Sequence, residues 1–499
     1  MDISGAFDNL WWPSLFKAIA DIGTPRYLLN VLKSYVTDRA VTYRSKFAQT
    51  PKNISKGCPQ GSVLGPTPWN IMMDTLVRDL RGTAGCVAYA DDLVVMFKGH
   101  SRRQLCVTAA AVAEVLNKWC ITNRLTISPA KLAILQFGGD FNGNNPVKCK
   151  LFGRYVKTVQ EWTYLGVVLD NKPLFRHVKA TNTKASTVIN TIATIAKRQY
   201  GIRPATLNVL YQGEYVSMVT YAASVWAPSV LRNKRQQYLV NAAQRRALVL
   251  LYGGYNSTSW KAMALAVGVL PMHLKLAQKA ARYHLRKGDH NRISQLLNCQ
   301  PEVFTRSRIE EVLSQAWNEI WTTSSKGDHL RSIFPTIQDR LKCSWLRPHY
   351  WSIPFLTSHG PLDSYLYRMH LRDSPGCECA QGEETPAHVL LDCPLVDRGN
   401  THHTSLQDLV GDPDYWPLAE EIMKYFSAEH ALPRLVRDRR PVHQEQEETE
   451  QHPPRRNPPR GQVADEQQPR REYNPDEPYN RRRGWVSVVR GRRIAPQPT

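Results

Sequence analysis

The sequence predicts a mixed α/β domain over residues 1–175, a helical region over 176–330, a small Cys- and His-bearing region over 331–430 and a disordered basic tail over 431–499. Three observations predict that order. Up to about residue 175, short β-rich apolar runs alternate with helical stretches and are punctuated by Gly and Pro. From there to about residue 330, apolar residues recur at helical spacing, with Lys and Arg on the other faces. Beyond about residue 433 the composition shifts to Pro, Arg, Gln and Glu, as in RPVHQEQEETEQHPPRRNPPRGQ, with almost nothing to bury.

Taken in chain order, AGCVAYADDLVVMFKG reads as a hairpin, two β-rich runs joined through acidic turn residues. LCVTAAAVAEVLNKWCITNR reads as an amphipathic helix and EWTYLGVVLDNK as a second short hairpin. VKATNTKASTVINTIATIAKR and QQYLVNAAQRRALVLLY are the clearest helices of the basic region. The net charge of +22 over 499 residues argues for a polyanionic partner or an acidic membrane surface. No apolar run stands out at the ~20 residues that a membrane span needs, so no membrane partner is expected. The acidic start MDISGAFDN lacks the basic segment of a secretory signal. Ten thinly scattered cysteines fit reduced intracellular thiols, apart from the cluster at Cys377, Cys379 and Cys393.

The sharpest local signal is Tyr-Ala-Asp-Asp, Tyr89 to Asp92, between the apolar runs CVAYA and LVVMF. Two adjacent carboxylates repel, and a cation shared with a third acid would relieve that cost. A solvated Asp-Asp turn, stabilised by local hydrogen bonds, accounts equally well for the pair taken alone. Its neighbours change the reading. DISGAFD sets Asp2 at the end of a strand, with Phe7 following. GCPQG, Gly57 to Gly61, is a turn running into a helix. Lys131 follows in SPAKL, and YLGVVLD begins at Tyr164.

In this order the motifs resemble those of the reverse transcriptases of non-long-terminal-repeat (LINE-type) retrotransposons, from residue 2 to about residue 400. DISGAFD matches the first carboxylate motif, GCPQGSVLGP the template-contacting turn and YADD the paired-aspartate hairpin. DISGAFDNLWW and LTSHGPLDSYLYR are most similar to the type-1 elements that insert into arthropod ribosomal RNA genes. The resemblance implies a right-hand polymerase with an α/β palm, a helical thumb, a zinc module and a disordered tail. It implies RNA-directed DNA synthesis that copies element RNA at a nicked chromosomal target, from deoxynucleoside triphosphates and a target DNA primer. An endonuclease is expected elsewhere in such a polyprotein, with no motif for it in this sequence. The nucleus is the expected site of synthesis at the target, and the resemblance also allows a cytoplasmic ribonucleoprotein stage.

Residue by residue, the resemblance makes Asp2 and Asp91 the bridging ligands of two magnesium ions. Asp92 is the less direct third acid, and the Ile3 carbonyl a further ligand. Magnesium favours such hard oxygen donors. Phe7, a core aromatic by spacing alone, becomes the ring below the incoming sugar that leaves no room for a 2′-hydroxyl. Gln60, Gly61 and Tyr89 become substrate contacts. Lys131 is either a general acid for the departing pyrophosphate or a surface lysine; the family usually has Thr next, where this sequence has Leu132. Tyr164, Leu165 and Gly166 correspond to the primer-gripping hairpin.

Cys377, Cys379, His388 and Cys393 form a Cys-Cys-His-Cys set suited to one tetrahedral zinc. The Cys-x-Cys gap is tighter than usual, and the resemblance to a C-terminal zinc knuckle supplies what spacing alone leaves open. Thr385 caps a short helix, Pro386 lies in its first turn and Pro394 ends it. Too short to persist alone, that helix is expected to depend on the metal. The competing expectation is a nucleic-acid-binding, zinc-stapled chain without polymerase activity. Finally, Asp2 has almost no strand before it. This leads to the expectation of a frayed Asp2 beside the chain's own ammonium, and of a sequence that is part of a longer polyprotein whose fingers precede Met1.

Overall fold

The computed structural model describes residues 1–44, 46, 48–138, 146–170, 175–195, 204–399 and 402–429, and the predicted tail lies outside them. Helices α1 (Trp12–Asp21) and α2 (Arg26–Val36) are followed by a hairpin, β1 (Ala40–Arg44) and β2 (Gln49–Asn53). After α3 (Pro66–Asp79), β3 (Gly85–Tyr89) and β4 (Asp92–Met96) form the antiparallel hairpin expected of AGCVAYADDLVVMFKG, with Tyr89 opposite Asp92. The turn leaves only Ala90 and Asp91 between the strands, and Ala90 takes a φ of +51° to make it.

Residues 1–4 do not fray. Asp2 forms a bridge with Asp92, and Ile3 forms one with Ile127 on the other side. Leu93 donates its N–H to the Met1 carbonyl at 2.9 Å, and Ser128 donates to the Asp2 carbonyl at 3.0 Å. Isolated bridges and hydrogen bonds to distant segments hold this stretch where local sequence length predicts an end.

Helix α4 (Arg102–Asn123) begins at Ser101, whose hydroxyl accepts the Gln104 N–H, and ends at Arg124 in the left-handed region. Ala109, Val112, Ala113, Leu116, Trp119 and Cys120 are buried at helical spacing against the sheet. By length and apolarity alone α4 could cross a membrane, which corrects the expectation that no run is long enough. Its buried face belongs to a core with Ile3, Leu15, Trp69, Met72 and Leu93. Packing in that core buries about a third of the helix's apolar window, while Val107 and Ile121 remain exposed.

The short strands β5 (Ala133–Leu135), β6 (Lys150–Leu151), β7 (Arg154–Tyr155) and β8 (Lys157–Val159) lead to the second predicted hairpin, β9 (Glu161–Tyr164) and β10 (Val167–Asp170). A second core then begins. It runs from Val178 on α5 (Phe175–Ile195) to Phe426, so the helices on both sides of residue 330 share it, together with Val389 and Leu390 beside the Cys/His cluster. Within it come α6 (Pro204–Leu210), a π-helical turn Tyr211–Val216, α7 (Ser217–Val219), α8 (Ala223–Arg232) and α9 (Lys234–Tyr252). Asn233 caps α9 by accepting the Arg235 and Gln236 N–H groups. The buried Gln244 amide donates to Tyr211 Oη and the Leu270 carbonyl, both at 2.9 Å, and accepts the Met272 N–H at 2.7 Å. A buried amide so satisfied avoids the 1–3 kcal/mol or so that an orphaned polar group costs.

Candidate active site and metal centre

The carboxylate site is assembled from segments far apart in the sequence. Ile3 donates its N–H to the Asp91 carbonyl at 3.3 Å, which sets the first motif against the tip of the YADD hairpin. The Ile3 side chain itself is buried. Asp91 is held above the usual carboxylate range, first by burial and then by the neighbouring charges of Asp2 and Asp92. A cation between the acids would reverse that destabilisation. The Lys131 ammonium already does this at one position, 2.8 Å from Asp2 Oδ2, and the same contact raises the lysine's own pKa. Asp92 bears electrostatically on the Tyr164 phenol, whose buried oxygen has no hydrogen-bond partner among the described residues. Asp2, Asp91 and Lys131 are thus brought together, with Asp92 on the adjoining residue. The hard oxygens of Asp2 and Asp91, and the like-charge strain on Asp91, suit a divalent cation, although Asp2, Asp91 and Asp92 do not converge as a three-donor set.

The surrounding residues are set by aromatic groups that sequence reasoning missed. Trp69, fully buried on α3, donates its indole N–H to the Ala90 carbonyl at 2.9 Å and so fixes the YADD turn. Its ring stacks on Phe7, with centroids 6.0 Å apart and planes at 30°. Phe7 is half-buried against the core and faces that tryptophan. The only local signal for Trp69 is its place in PTPWN, just after the glycine-rich turn. Trp12 likewise donates to the Gly57 carbonyl at 2.8 Å.

At Gly57 a side chain is excluded on two counts. Its φ is +93°, and a Cβ would lie 2.8 Å from the Asp8 carbonyl oxygen. Gly57 and Cys58 donate to the Leu10 and Phe7 carbonyls, which ties the GCPQG turn to the first motif. Gln60 donates to Asp8 Oδ1 at 3.0 Å, and Gly61, with a φ of +81°, faces open space. Tyr89, 66% exposed, stands beside the acidic turn.

The second centre is local. Among the described residues, Cys377, Cys379, His388 and Cys393 are the only group of three or more Cys, His, Asp or Glu residues whose donor atoms converge on a metal-sized volume, all within 4.8 Å of one another. Cys377 Sγ and Cys393 Sγ are 3.7 Å apart, and Cys379 Sγ and His388 Nε2 are 3.1 Å apart. Tetrahedral zinc with Zn–S bonds of ~2.3 Å implies S···S edges of ~3.8 Å. The donor set therefore fits zinc. Thr385 Oγ1 accepts the His388 N–H at 3.2 Å, as expected of a cap. The segment that follows is a wide π-helical turn, His388–Asp392, in place of the expected regular helix. Burial pushes the Cys377 thiol up to about 12.

The reverse transcriptase (RNA-dependent DNA polymerase) family matches residues 1–169. The chain is 26% identical over 427 residues to the putative 115 kDa protein in type-1 retrotransposable element R1DM of Drosophila melanogaster, which covers 82% of this chain and 40% of that protein. It is 27% identical over 352 residues to the retrovirus-related Pol polyprotein from type-1 retrotransposable element R1 2 of Nasonia vitripennis, covering 68% of this chain and 86% of the relative. The RNA-directed DNA polymerase from mobile element jockey of Drosophila melanogaster is 30% identical over 186 residues, 36% of this chain and 20% of that protein. The chain spans about 40% of the length of the first of these and of a Bradysia coprophila type-1 relative.

Proposed function

We propose, from a chain that carries over residues 1–169 a reverse transcriptase domain of the non-long-terminal-repeat retrotransposon kind, that this protein extends a primer 3′-hydroxyl with deoxynucleotides under the direction of an RNA template. The observation that carries the reading is the meeting of Asp2 with Asp91 at the YADD tip, with the Lys131 ammonium 2.8 Å from Asp2. In this reading Asp2 and Asp91 hold two magnesium ions, Asp92 supports them and the Ile3 carbonyl adds an oxygen. Magnesium held by these residues would lower the pKa of the primer hydroxyl and would stabilise the oxygens of the leaving pyrophosphate. Lys131, freed from Asp2 when its charge is satisfied otherwise, supplies a proton to that leaving group. Phe7, backed by Trp69, crowds the 2′ position of the incoming sugar. Gln60, Gly61 and Tyr89 line the template and nucleotide side.

The two hydrophobic cores support a break near residue 175, between a palm over residues 1–175 and a helical part that begins with the thumb assigned to 176–330 and shares its core with residues up to 426. Residues 331–430 then form a nucleic-acid-binding region stapled by one structural zinc on Cys377, Cys379, His388 and Cys393, followed by a basic tail. The net charge of +22 supports phosphate contacts along a template–primer duplex. A nicked chromosomal target is the natural primer in this reading, which makes the nucleus the place of synthesis.

Primer extension tests the reading. Asp91→Asn should lower the rate by on the order of 10³-fold, the several kcal/mol that metal charge stabilisation supplies, while salt-sensitive nucleic-acid binding persists. Extension by the variant at the wild-type rate would sink it and leave the non-catalytic binding protein as the better account.

A further inference from the structure

The hairpin β9–β10 is held from its far side by three residues to which no role has been assigned. Its turn, Leu165–Gly166, has both central residues at positive φ, +44° and +80°. That geometry suits a tight hairpin, but it strains a leucine, and such strain persists only where surroundings over-determine it.

The surroundings come from the helical region. The Tyr221 hydroxyl donates to the Leu165 carbonyl at 2.9 Å. The same ring lies over Gly166, its Cε1 only 3.1 Å from where a Cβ would sit. Tyr221 is itself fixed by Trp226, whose indole N–H donates to the Tyr221 carbonyl at 2.8 Å. Trp226 is fully buried and meets the edge of the His177 ring at 5.1 Å and 74°. His177 closes the circuit by accepting the Val168 N–H of β10 on Nδ1 at 3.2 Å. Ala222, at a φ of +51°, starts α8 and separates Tyr221 from it, so the tyrosine can face the hairpin while Trp226 stays in the core.

We infer that Tyr221, oriented by Trp226 and His177, is a positioning residue that sets the Leu165–Gly166 turn and thereby the alignment of the primer terminus with Asp2 and Asp91. The inference rests on the polymerase reading and deepens it. The hairpin reaches the carboxylates: the Tyr164 phenol, at the base of the turn, is within electrostatic range of Asp92. A turn pinned at its carbonyl, its glycine face and its second strand moves only when the helices that hold it move. The helical region would therefore report duplex binding to the catalytic centre through this contact. Reacting atoms must be aligned to within a fraction of an ångström, so a looser turn lowers the chemical step more than it lowers binding.

The test compares wild-type chain with Tyr221→Phe, which keeps the ring over Gly166 and removes only the hydroxyl, and with Trp226→Phe, which keeps an aromatic core and removes the indole N–H. Amide hydrogen exchange over residues 163–170 and steady-state primer extension are read on each protein. Both variants should show faster exchange in the hairpin. Both should also lose about 5-fold in kcat, the size a single net hydrogen bond carries, with the KM for deoxynucleotide unchanged and Tyr221→Phe melting as wild type. Unchanged exchange, or faster exchange with an unchanged kcat, would overturn the inference. A wild-type chain that fails to extend any primer would count against the polymerase reading instead. Unchanged hairpin exchange in Tyr221→Phe would still refute the clamp in that case.

Discussion

The two centres of this molecule are built in opposite ways. The Cys/His cluster closes within one short segment, where a loop and a single π-helical turn bring all four donors together. The carboxylate site draws on residue 2, the hairpin tip at Asp91 and the turn at Lys131, and backbone pairing through Ile3, Leu93 and Ser128 joins them. Val389 and Leu390 of the first are buried in the helical core and Ala387, Leu391 and Val396 pack against it, but its loop from Cys377 to Gly382 contributes no residue to that core, so its donor geometry should depend on a metal. The second rests on a large core and should keep its shape without one. The contrast teaches that a site's dependence on its ion follows from where its scaffolding energy comes from, and not from the ion's role in chemistry.

The largest expected effect breaks the comparison if it fails. Metal analysis of the full chain should find about one equivalent of zinc, as four ligands imply. Chelation should abolish exchange protection over residues 376–396 while residues 85–96 remain protected. Loss of protection in both regions would mean the two scaffolds are not independent.

The helical core holds a buried histidine, His273, through packing and hydrogen bonds to Asn241 and without a metal ligand set. Burial lowers the His273 pKa from 6.5 to about 4, with Lys234 adding to the shift, and its Nδ1 lies 2.8 Å from the Asn241 amide nitrogen. The unfolded chain takes up the proton below 6.5 and the fold does not, so the stability this neutral ring allows is complete above that pH. It is lost as pH falls toward 4, by roughly 3 kcal/mol. Thermal melts between pH 7 and 4 should show it, and His273→Gln should flatten the decline. An unchanged slope in that variant would remove His273 as the cause.

A smaller effect is expected at Phe7. Replacing it by Ala should raise ribonucleotide incorporation relative to deoxynucleotide by about 10-fold or more, a size typical of discrimination by pocket shape. An unchanged ratio would make the ring a core residue and nothing else. The smallest effect tests the scaffold of the carboxylate site. Trp69→Phe removes the bond to the Ala90 carbonyl and should cost about 1 kcal/mol. The expected signature is faster exchange in the YADD turn, without any change at the Cys/His segment.

Much of this was legible in the residues. Both hairpins, the long helix with its buried stripe from Ala109 to Cys120, and the Thr385 cap follow from periodicity and side-chain chemistry within short windows. The Cys/His donor set was legible for the same reason: all its parts lie close in sequence. The carboxylates were legible only as an ordered set of motifs, because nothing local distinguishes Asp91 from a solvated turn. What the chain's order of residues could not supply was the company each residue keeps. Asp2 reads as a frayed terminal charge, yet backbone from distant segments bridges to it and to Ile3 from both sides. Helix α4 reads as an amphipathic helix, yet it is long and apolar enough to cross a membrane, and only the packed core shows which of its apolar residues are buried. Trp69 and Tyr221 carry no mark in their own neighbourhoods, since each acts on a carbonyl far away in the chain. Short-range order follows from backbone and side-chain preferences that a few residues carry. Long-range partners follow from which surfaces remain to be buried once those elements exist, and that is a property of the packed molecule.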